Sequence, residues 1–164
     1  MDHSIRPYKC GEEKYVAELH RRLYTEEYSW GPAFTGYAAG IAMDFAKKEK
    51  NSREELFIAE YRGHLAGCIM LCQTDDHDVG QLRLFAVEKS CRRHGIGKAL
   101  MDTVMSMART AGYKKMILWT ASPLTSAIRQ YEKAGFKCVE EVENNTWATD
   151  GSTLYEIKME TDMI

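Results

Sequence analysis

The sequence predicts a mixed α/β fold in a single domain that spans residues 1–164. Two observations lead to this prediction. Helical periodicity in the first fifty residues gives way, at residue 56, to short apolar segments separated by turns. From residue 81 onward, strand-like segments alternate with amphipathic helices, as in a sheet with helices packed against it. A chain of 164 residues suits one core, and no repeat, low-complexity tract or Pro/Ser-rich linker divides it.

The first half of the chain is predicted to form two helices followed by an antiparallel hairpin. Apolar residues recur at helical spacing on either side of Trp30-Gly31-Pro32, a segment that breaks a helix. Arg62-Gly63-His64 is typical of a turn between two paired strands. The expected elements are a short strand at residues 4–9, a helix from Glu12 to Tyr28, a helix with Phe34, Tyr37, Ile41 and Phe45 on one face, and strands at residues 56–61 and 65–72.

The second half is predicted to alternate strands with helices, which makes the sheet a mixed one. One helix is expected to open at Ser122-Pro123, with the serine as its N-cap and the proline in the first helical position, and to end at Gly135. The other expected elements are strands at residues 81–87 and 115–120, a helix at 95–111, and two final strands at about 136–143 and 153–159.

Composition and charge disfavour several functional classes. The net charge of −2 provides no overall basic field for nucleic acid or an anionic membrane surface. No apolar run is long enough to span a bilayer, and the N-terminus lacks the basic start and apolar block of a signal peptide. Five scattered cysteines, an odd number, argue against a disulfide framework and for a reducing compartment. We therefore expect a cytoplasmic protein with no nucleic-acid and no membrane partner.

No metal site is predicted. Cys68 and Cys72 are four residues apart, but no second pair or histidine cluster completes a zinc site. The acidic segment Asp75-Asp76-His77-Asp78 lacks the further ligands and the sharp glycine turn of a calcium loop. We interpret it as the polar tip of a hairpin.

The most informative segment runs from Leu82 to Lys98, where a predicted strand enters a glycine-containing loop that opens an amphipathic helix. The first N–H groups of a helix have no intrahelical partner and lie at its partly positive end, where phosphate groups commonly bind. Gly95 and Gly97 allow a ligand to approach the backbone closely. The loop also concentrates positive charge, from Arg92, Arg93, His94 and Lys98. The segment therefore predicts a diphosphate site.

Two other phosphate-binding loops fail on specific residues. A dinucleotide-binding loop requires a third glycine at position 100, which is Leu100. A nucleoside-triphosphate loop requires glycine at position 92 and Ser or Thr at position 99, which are Arg92 and Ala99. On the motif alone, an ordinary strand-to-helix turn with solvated basic residues remains an equal alternative.

Two motifs of this chain, one after the other, resemble motifs of the GNAT superfamily of acetyltransferases. The segment Arg92-Arg93-His94-Gly95-Ile96-Gly97 resembles its Arg/Gln-x-x-Gly-x-Gly/Ala loop, and Ala127-x-x-x-Tyr131-Glu132-Lys133-Ala134-Gly135-Phe136 resembles its tyrosine-bearing helix and the strand that follows. Trp119 to Leu124 is similar in particular to the acetyltransferase half of MarR-type regulator fusions. The resemblance covers about residues 56–160, and it departs at Leu124, where many members carry asparagine.

The resemblance implies a GNAT fold, a mostly antiparallel central sheet with about four helices packed on both faces. It also implies acetyl-coenzyme A as co-substrate, with no metal. The diphosphate would lie on the 92–98 loop, and the pantetheine arm would lie along the strand that ends in Phe85, Ala86 and Val87. With Leu124 in place of asparagine, Thr125 or Ser126 would contact the cofactor arm. Dimers are frequent in this superfamily, so a homodimer is one expected assembly. The implied cofactor-binding residues are Phe85, Ala86, Val87, Arg92, Arg93, His94, Gly95, Ile96, Gly97, Lys98, Ser126 and Tyr131.

The same resemblance assigns Tyr131 as the acid that protonates the leaving thiolate, whereas periodicity alone would make it a packing aromatic. Glu27 is our candidate base, and a solvated helix face is an equal alternative for Glu26 and Glu27. An aromatic, acidic acceptor wall would suit a cationic amine with an apolar body. The candidate acceptor residues are Tyr24, Tyr28, Trp30, Phe34 and Arg83.

The expected function is N-acetyl transfer from acetyl-coenzyme A to a primary amine of a small molecule or peptide, by direct attack. The alternative is a non-catalytic regulatory module that binds acyl-coenzyme A, and a plain interaction domain is the third possibility. The first two bind the cofactor, but only the enzyme releases free thiol when an acceptor is present.

Overall fold

The computed structural model describes residues 2–49 and 51–163, and within them the predicted order of strands and helices is confirmed. A short 3₁₀ turn at Lys89–Cys91 follows the fourth strand. The strands are β1 (His3–Pro7), β2 (Glu55–Tyr61), β3 (His64–Gln73), β4 (Val79–Val87), β5 (Lys115–Ala121), β6 (Lys137–Asn144) and β7 (Leu154–Asp162). The helices are α1 (Glu13–Tyr28), α2 (Pro32–Lys47), α3 (Ile96–Thr110) and α4 (Thr125–Lys133).

The seven strands described form one sheet in the order β1-β2-β3-β4-β5-β7-β6. Every neighbouring pair is antiparallel except β4 and β5, which run parallel. A parallel pair requires a crossover, and α3 supplies it between β4 and β5. The sheet is thus mixed and mostly antiparallel, as predicted.

The helices cover both faces of the sheet, as the resemblance implied. Helix α3 buries Ile96, Leu100 and Val104 on one face, together with Tyr131 of α4. Helices α1 and α2 cover the opposite face, where Val16 and Leu19 of α1 are fully buried. Alternating residues of β2 and β3 contribute to the two cores, because successive strand side chains point to opposite faces. No helix within the described residues is both long and apolar enough to cross a membrane.

The predicted start of α4 was wrong by two residues. Ser122 does not cap a helix: its N–H donates to the Tyr155 carbonyl at 2.8 Å, and its hydroxyl accepts from the Tyr155 N–H at 3.0 Å. These bonds extend the pairing of β5 with β7 beyond Ala121. The helix begins only at Thr125, because Ser122 is committed to the neighbouring strand.

The strand β4 leaves its parallel neighbour early. It contains a bulge, since Cys68 pairs with Ala86 and Met70 with Arg83, so one residue of β3 faces two of β4. Leu84 within the bulge has a φ of 53°, a left-handed conformation that is uncommon outside glycine. Strands β4 and β5 pair only over residues 79–81 and 115–117, although both continue further. The sheet therefore opens into a gap beyond residue 81.

We predict that Gly67→Ala destabilises the fold, because it crowds the bulged part of β4. A Cβ at position 67 would lie 2.5 Å from the Ala86 carbonyl oxygen and 3.1 Å from the Val87 Cα, which are backbone atoms that cannot move independently. Overpacking of this kind costs about 1–3 kcal/mol. The measurement is the midpoint of urea unfolding.

The matched control for that substitution is Gly40→Ala. Gly40 lies in α2, where an added Cβ meets nothing within 4 Å, so alanine should stabilise the protein by about 0.5–1 kcal/mol. Equal unfolding midpoints for the Gly67→Ala and wild-type proteins would contradict the argument about the crowded bulge.

Candidate active site

The loop between β4 and α3 exposes the free end of a helix. After the 3₁₀ turn, Arg92 is extended, whereas Arg93 and Gly95 adopt left-handed conformations with φ of 68° and 78°. Gly95 occupies the N-cap position of α3, and no side chain caps the first turn. The amides at the start of α3 thus lack a capping side chain, which leaves them available to an anion as the sequence predicted.

A cavity of about 660 Å³, the first cavity, lies over this loop. Its walls come from the loop, the end of β4, the C-terminal half of α1, the first part of α3, and α4. Its size is that of a pocket for a small molecule or cofactor. The predicted cofactor residues that line it are Phe85, Ala86, Val87, Arg92, Arg93, Gly95, Ile96, Gly97, Lys98 and Ser126.

Two predicted cofactor residues do not line the first cavity. The ring of His94 stacks on Tyr61 with centroids 4.9 Å apart, and its Nδ1 lies 3.4 Å from the Tyr61 hydroxyl. A contribution of His94 to binding would therefore have to come from its main chain. Tyr131 lines a second cavity, described below.

The predicted base, Glu27, lies in the first cavity, where it is paired with the loop. Its carboxylate accepts hydrogen bonds from both Nη atoms of Arg92, at 2.6 and 3.1 Å. This interaction, with its favourable charge, raises the pKa of Arg92. Lys98 is likewise paired with Asp102, at 2.7 Å. The structure thus brings Glu27 to the loop at residues 92–98 in the first cavity, whereas Trp30 and Phe34, which were expected beside it, line the second cavity.

The second cavity, of about 340 Å³, is built from aromatic side chains on the other side of the gap. Tyr24 stacks on Trp30 with ring centroids 5.3 Å apart, and Phe34 packs edge-on against Tyr24 at 4.8 Å. Tyr28 packs behind them, 5.3 Å from Trp30, and lines the first cavity. The four aromatic residues predicted for the acceptor wall are thus adjacent in space.

Sequence analysis missed Trp147, which completes this aromatic cluster from the connection between β6 and β7. Its ring lies 5.3 Å from Trp30 and 4.9 Å from Phe34. The Gly31 N–H donates to the Trp147 carbonyl at 2.8 Å, and Trp30 pairs with Ala148 in an isolated bridge. A lone tryptophan in a polar connection was the available signal, but nothing local indicated its partner.

The second cavity also contains polar side chains. Arg83 was predicted, whereas Thr120, Glu156 and His20 were not. His20 is 2% exposed, and burial lowers its pKa to about 4, while the contact of Nδ1 with the Val16 carbonyl at 2.8 Å acts in the opposite direction. At neutral pH His20 is therefore uncharged.

The two cavities meet at Tyr24, Phe85 and Leu124, which line both. The Tyr131 ring lies 5.9 Å from that of Phe85, beside this junction. Burial, with a smaller effect of Tyr24, raises the pKa of Tyr131, so its hydroxyl is protonated at neutral pH. A protonated phenol beside the junction is chemically able to donate a proton there.

All five cysteines are free. The part of the chain that the structure describes contains no group of three or more His, Cys, Asp or Glu side chains placed to hold a metal ion.

Comparison with known proteins identifies acetyltransferases as relatives of this chain. A family model described as the acetyltransferase (GNAT) family matches residues 14–136. Human N-acetyltransferase 8 is 34% identical over 99 residues, which are 57% of this chain and 44% of the human protein. The chain therefore spans about half the length of the curated relatives it matches. The finer resemblance to MarR-type fusions remains a prediction.

Solved structures share the fold at low sequence identity. The yncA protein of Salmonella typhimurium, named as an acetyltransferase and solved with acetyl-CoA, superposes with a TM-score of 0.77 at 15% identity, covering 100% of this chain and 95% of its own. An aminoglycoside 6'-N-acetyltransferase complexed with coenzyme A gives a TM-score of 0.71 at 18% identity, covering 98% and 97%. These matches show the common architecture.

We predict that His20 makes the protein less stable as the pH falls from 7 to 5. Its pKa is about 4 in the folded state, against about 6.5 when unfolded, so the unfolded state binds more protons in this window. The free energy of unfolding should drop by about 2 kcal/mol between pH 7 and pH 5 through this residue. Urea unfolding at both pH values measures the loss.

In His20→Gln the drop in the free energy of unfolding between pH 7 and pH 5 should be smaller than in wild type by about 2 kcal/mol. His64→Gln, which replaces an exposed histidine in β3, should retain the wild-type pH dependence. The same pH dependence in His20→Gln as in wild type would show that burial of His20 does not control this transition.

Proposed function

This chain belongs to the acetyltransferase (GNAT) family, and on that premise we propose that it transfers an acetyl group from acetyl-coenzyme A to a primary amine of a small molecule or peptide. The observation that carries the proposal is the meeting of the two cavities at Tyr24, Phe85 and Leu124. A donor bound in the first cavity and an amine bound in the second would react at this junction. Because relatives are longer than this chain, the activity of the whole protein is part of the proposal.

Acetyl-coenzyme A is the proposed donor, and the first cavity suits its chemistry. The uncapped amides at the start of α3 and the guanidinium groups of Arg92 and Arg93 would hold its diphosphate. Beyond Gln81 the edge of β4 is not paired with β5, so main-chain groups of residues 85–87 are free to bond an extended pantetheine arm. The yncA structure and the aminoglycoside enzyme were solved with acetyl-CoA and coenzyme A, respectively, which supports this choice.

The proposed reaction is direct attack by the neutral amine on the thioester carbonyl carbon. The nitrogen forms a bond to that carbon, the carbon–sulfur bond breaks, and the sulfur leaves as a thiolate. A main-chain N–H at the end of β4 would stabilise the negative charge that develops on the carbonyl oxygen. An amine with a pKa of about 10.4 is mostly protonated at neutral pH, so it must lose a proton before it attacks.

Tyr131 is the proposed acid and Glu27 the proposed base. Tyr131 would give its hydroxyl proton to the departing thiolate, and the raised pKa of that phenol keeps the proton in place until then. Glu27 would accept the proton that the ammonium group loses before it attacks. After the attack the nitrogen loses a second proton, which restores the Tyr131 hydroxyl and leaves a neutral amide. Both of its oxygens already bond Arg92, so a water molecule between Glu27 and the amine is part of this proposal.

We expect acetyl-coenzyme A to bind the wild-type protein in the micromolar range and to lose most of that affinity in Gly97→Glu. The new carboxylate would stand at the first turn of α3, beside the diphosphate, and repel it. An added Cβ at position 97 would lie 2.7 Å from the Gln130 Oε1, the end of a flexible side chain that can move away. Isothermal titration calorimetry measures both affinities.

Gly36→Glu adds the same charge on the exposed part of α2, where a Cβ meets nothing within 4 Å, and should leave the affinity unchanged. Absence of binding to wild type would exclude the enzyme and the acyl-coenzyme A-binding module together. Binding without thiol release for any amine would favour the regulatory module.

We expect Tyr131→Phe to lower kcat by roughly 100-fold or more, because it removes the proton donor to the thiolate. The Kd of acetyl-coenzyme A should stay within about twofold, since Tyr131 lines the second cavity. Release of free thiol, followed with a chromogenic disulfide, measures kcat. Tyr155→Phe, which alters an exposed tyrosine of β7, is the control.

The same assay tests the proposed base, because Glu27→Gln should lower kcat without weakening acetyl-coenzyme A binding. Equal kcat values for Tyr131→Phe and wild type would remove Tyr131 from the mechanism. A weaker Kd with an unchanged kcat in Glu27→Gln would reassign Glu27 to the orientation of Arg92.

A further inference from the structure

Two buried polar atoms in the second cavity have no hydrogen-bond partner. Within residues 2–49 and 51–163, the buried side-chain atoms in this condition are Nε of Arg83 and Oγ1 of Thr120. Both residues line the second cavity, and Thr120 is only 7% exposed. A buried donor without a partner costs about 1–3 kcal/mol, so native proteins seldom leave one unless something else completes it.

The two atoms belong to opposite sides of the gap in the sheet. Arg83 stands on β4 at the bulge, and Thr120 stands on β5 beyond the short segment where the two strands pair. Because the strands separate there, neither strand supplies the other with hydrogen-bond partners. A ligand between them can bond both.

Arg83 also has no acidic partner among the described residues. None of the ion pairs between described residues involves it. The Arg83 side chain forms a hydrogen bond with Cys72, but burial raises the pKa of that thiol to about 12, so it is neutral at pH 7 and supplies no counter-charge. The carboxylate of Glu156 lines the same cavity and accepts a hydrogen bond from Asn144 Nδ2 at 3.0 Å.

We propose that the acceptor amine also carries a carboxylate, as an amino acid does, and that Arg83 and Thr120 bind this carboxylate. The proposal rests on the proposed function, because it takes the second cavity as the acceptor site. The Nε–H and one Nη–H of Arg83 form a planar fork that matches the two carboxylate oxygens, and the Thr120 hydroxyl donates a further bond. Trp30, Phe34 and Trp147 then pack against the apolar body of the molecule.

This assignment changes the substrate class that the sequence suggested. A purely cationic amine in the second cavity would meet the Glu156 carboxylate, but it would leave the guanidinium of Arg83 without a counter-charge. It would also gain nothing from Glu27, which is paired with Arg92 in the first cavity. A zwitterionic acceptor satisfies the charge that the second cavity presents.

Binding of matched ligand pairs tests the proposal without any acetyl transfer. Calorimetry with protein saturated with coenzyme A compares phenylalanine with phenethylamine, tryptophan with tryptamine, and leucine with 3-methylbutylamine. Each pair differs only in the carboxylate. We expect at least one amino acid to bind about tenfold or more tightly than its decarboxylated partner. We also expect 3-phenylpropionate, which has no amine to acetylate, to bind.

Variants assign the difference to the named residues. Arg83→Met should weaken the binding of the amino acid about tenfold or more, while the affinity for its decarboxylated partner changes by less than about twofold. Arg83→Lys should retain part of the affinity for the amino acid that Arg83→Met loses. Thr120→Val should lose less affinity than Arg83→Met. Arg109→Met, which alters an exposed arginine in α3, should bind like wild type. Circular dichroism verifies the fold of each variant, and the wild-type ligand pairs test the proposal even where a variant fails to fold.

The outcomes separate this proposal from the proposed function. Equal affinity within every pair, absence of binding by every amino acid, or equal weakening of both members of a pair in Arg83→Met would overturn it. Arg83-dependent binding with no acetyl transfer to any bound amine would uphold the carboxylate site and refute the acetyltransferase function. Acetyl transfer to amines with no preference for those that carry a carboxylate would uphold the acetyltransferase function and refute the carboxylate site.

Discussion

The separation of β4 from β5 is the constraint on which both cavities depend. Two adjacent strands of a sheet normally satisfy each other's main chain along their shared length. Here the pairing stops after residue 81, and a bulge at Leu84, held in a left-handed conformation, turns β4 away. The gap lets one cavity form over the diphosphate loop and another between the aromatic cluster and β5. A sheet paired over its full length would close both.

Helix α1 connects the two cavities and fixes the loop to the sheet. Arg22 donates two hydrogen bonds to the Glu88 carboxylate, and the Tyr15 hydroxyl donates a third at 3.1 Å. Arg22 is the main reason why the pKa of Glu88 is lowered. One turn further along α1, Glu27 pairs with Arg92 of the loop, while Tyr24 stands at the junction. A residue that lines both cavities and the residues that hold the loop therefore share one helix.

The accuracy of the sequence analysis differs between the two sides of the site. Most residues of the predicted diphosphate loop line the first cavity. They could be selected because their signals are local: a strand, two glycines, basic residues and a helix in succession. His94 is the exception, since its ring packs on Tyr61 of β2, more than thirty positions away. In the second cavity, Tyr24, Trp30 and Phe34 were among the predicted residues, but Trp147, Thr120 and Glu156 were not. Their role depends on which strands and connections face the gap.

By itself the sequence determined the order of the elements, the mixed sheet and the position of the glycine-containing loop before α3, whose binding of a diphosphate stays a prediction. Hydrophobic periodicity, glycine spacing and helix-end chemistry act over a few residues, so they can be recognised along the chain. Only the tertiary structure decided that Glu27 pairs with Arg92 and that Nε of Arg83 and Oγ1 of Thr120 lie without hydrogen-bond partners in residues that line one cavity. Electrostatic pairing and burial depend on distances between segments far apart in the chain. Those distances are set by the sheet register and by the gap between β4 and β5.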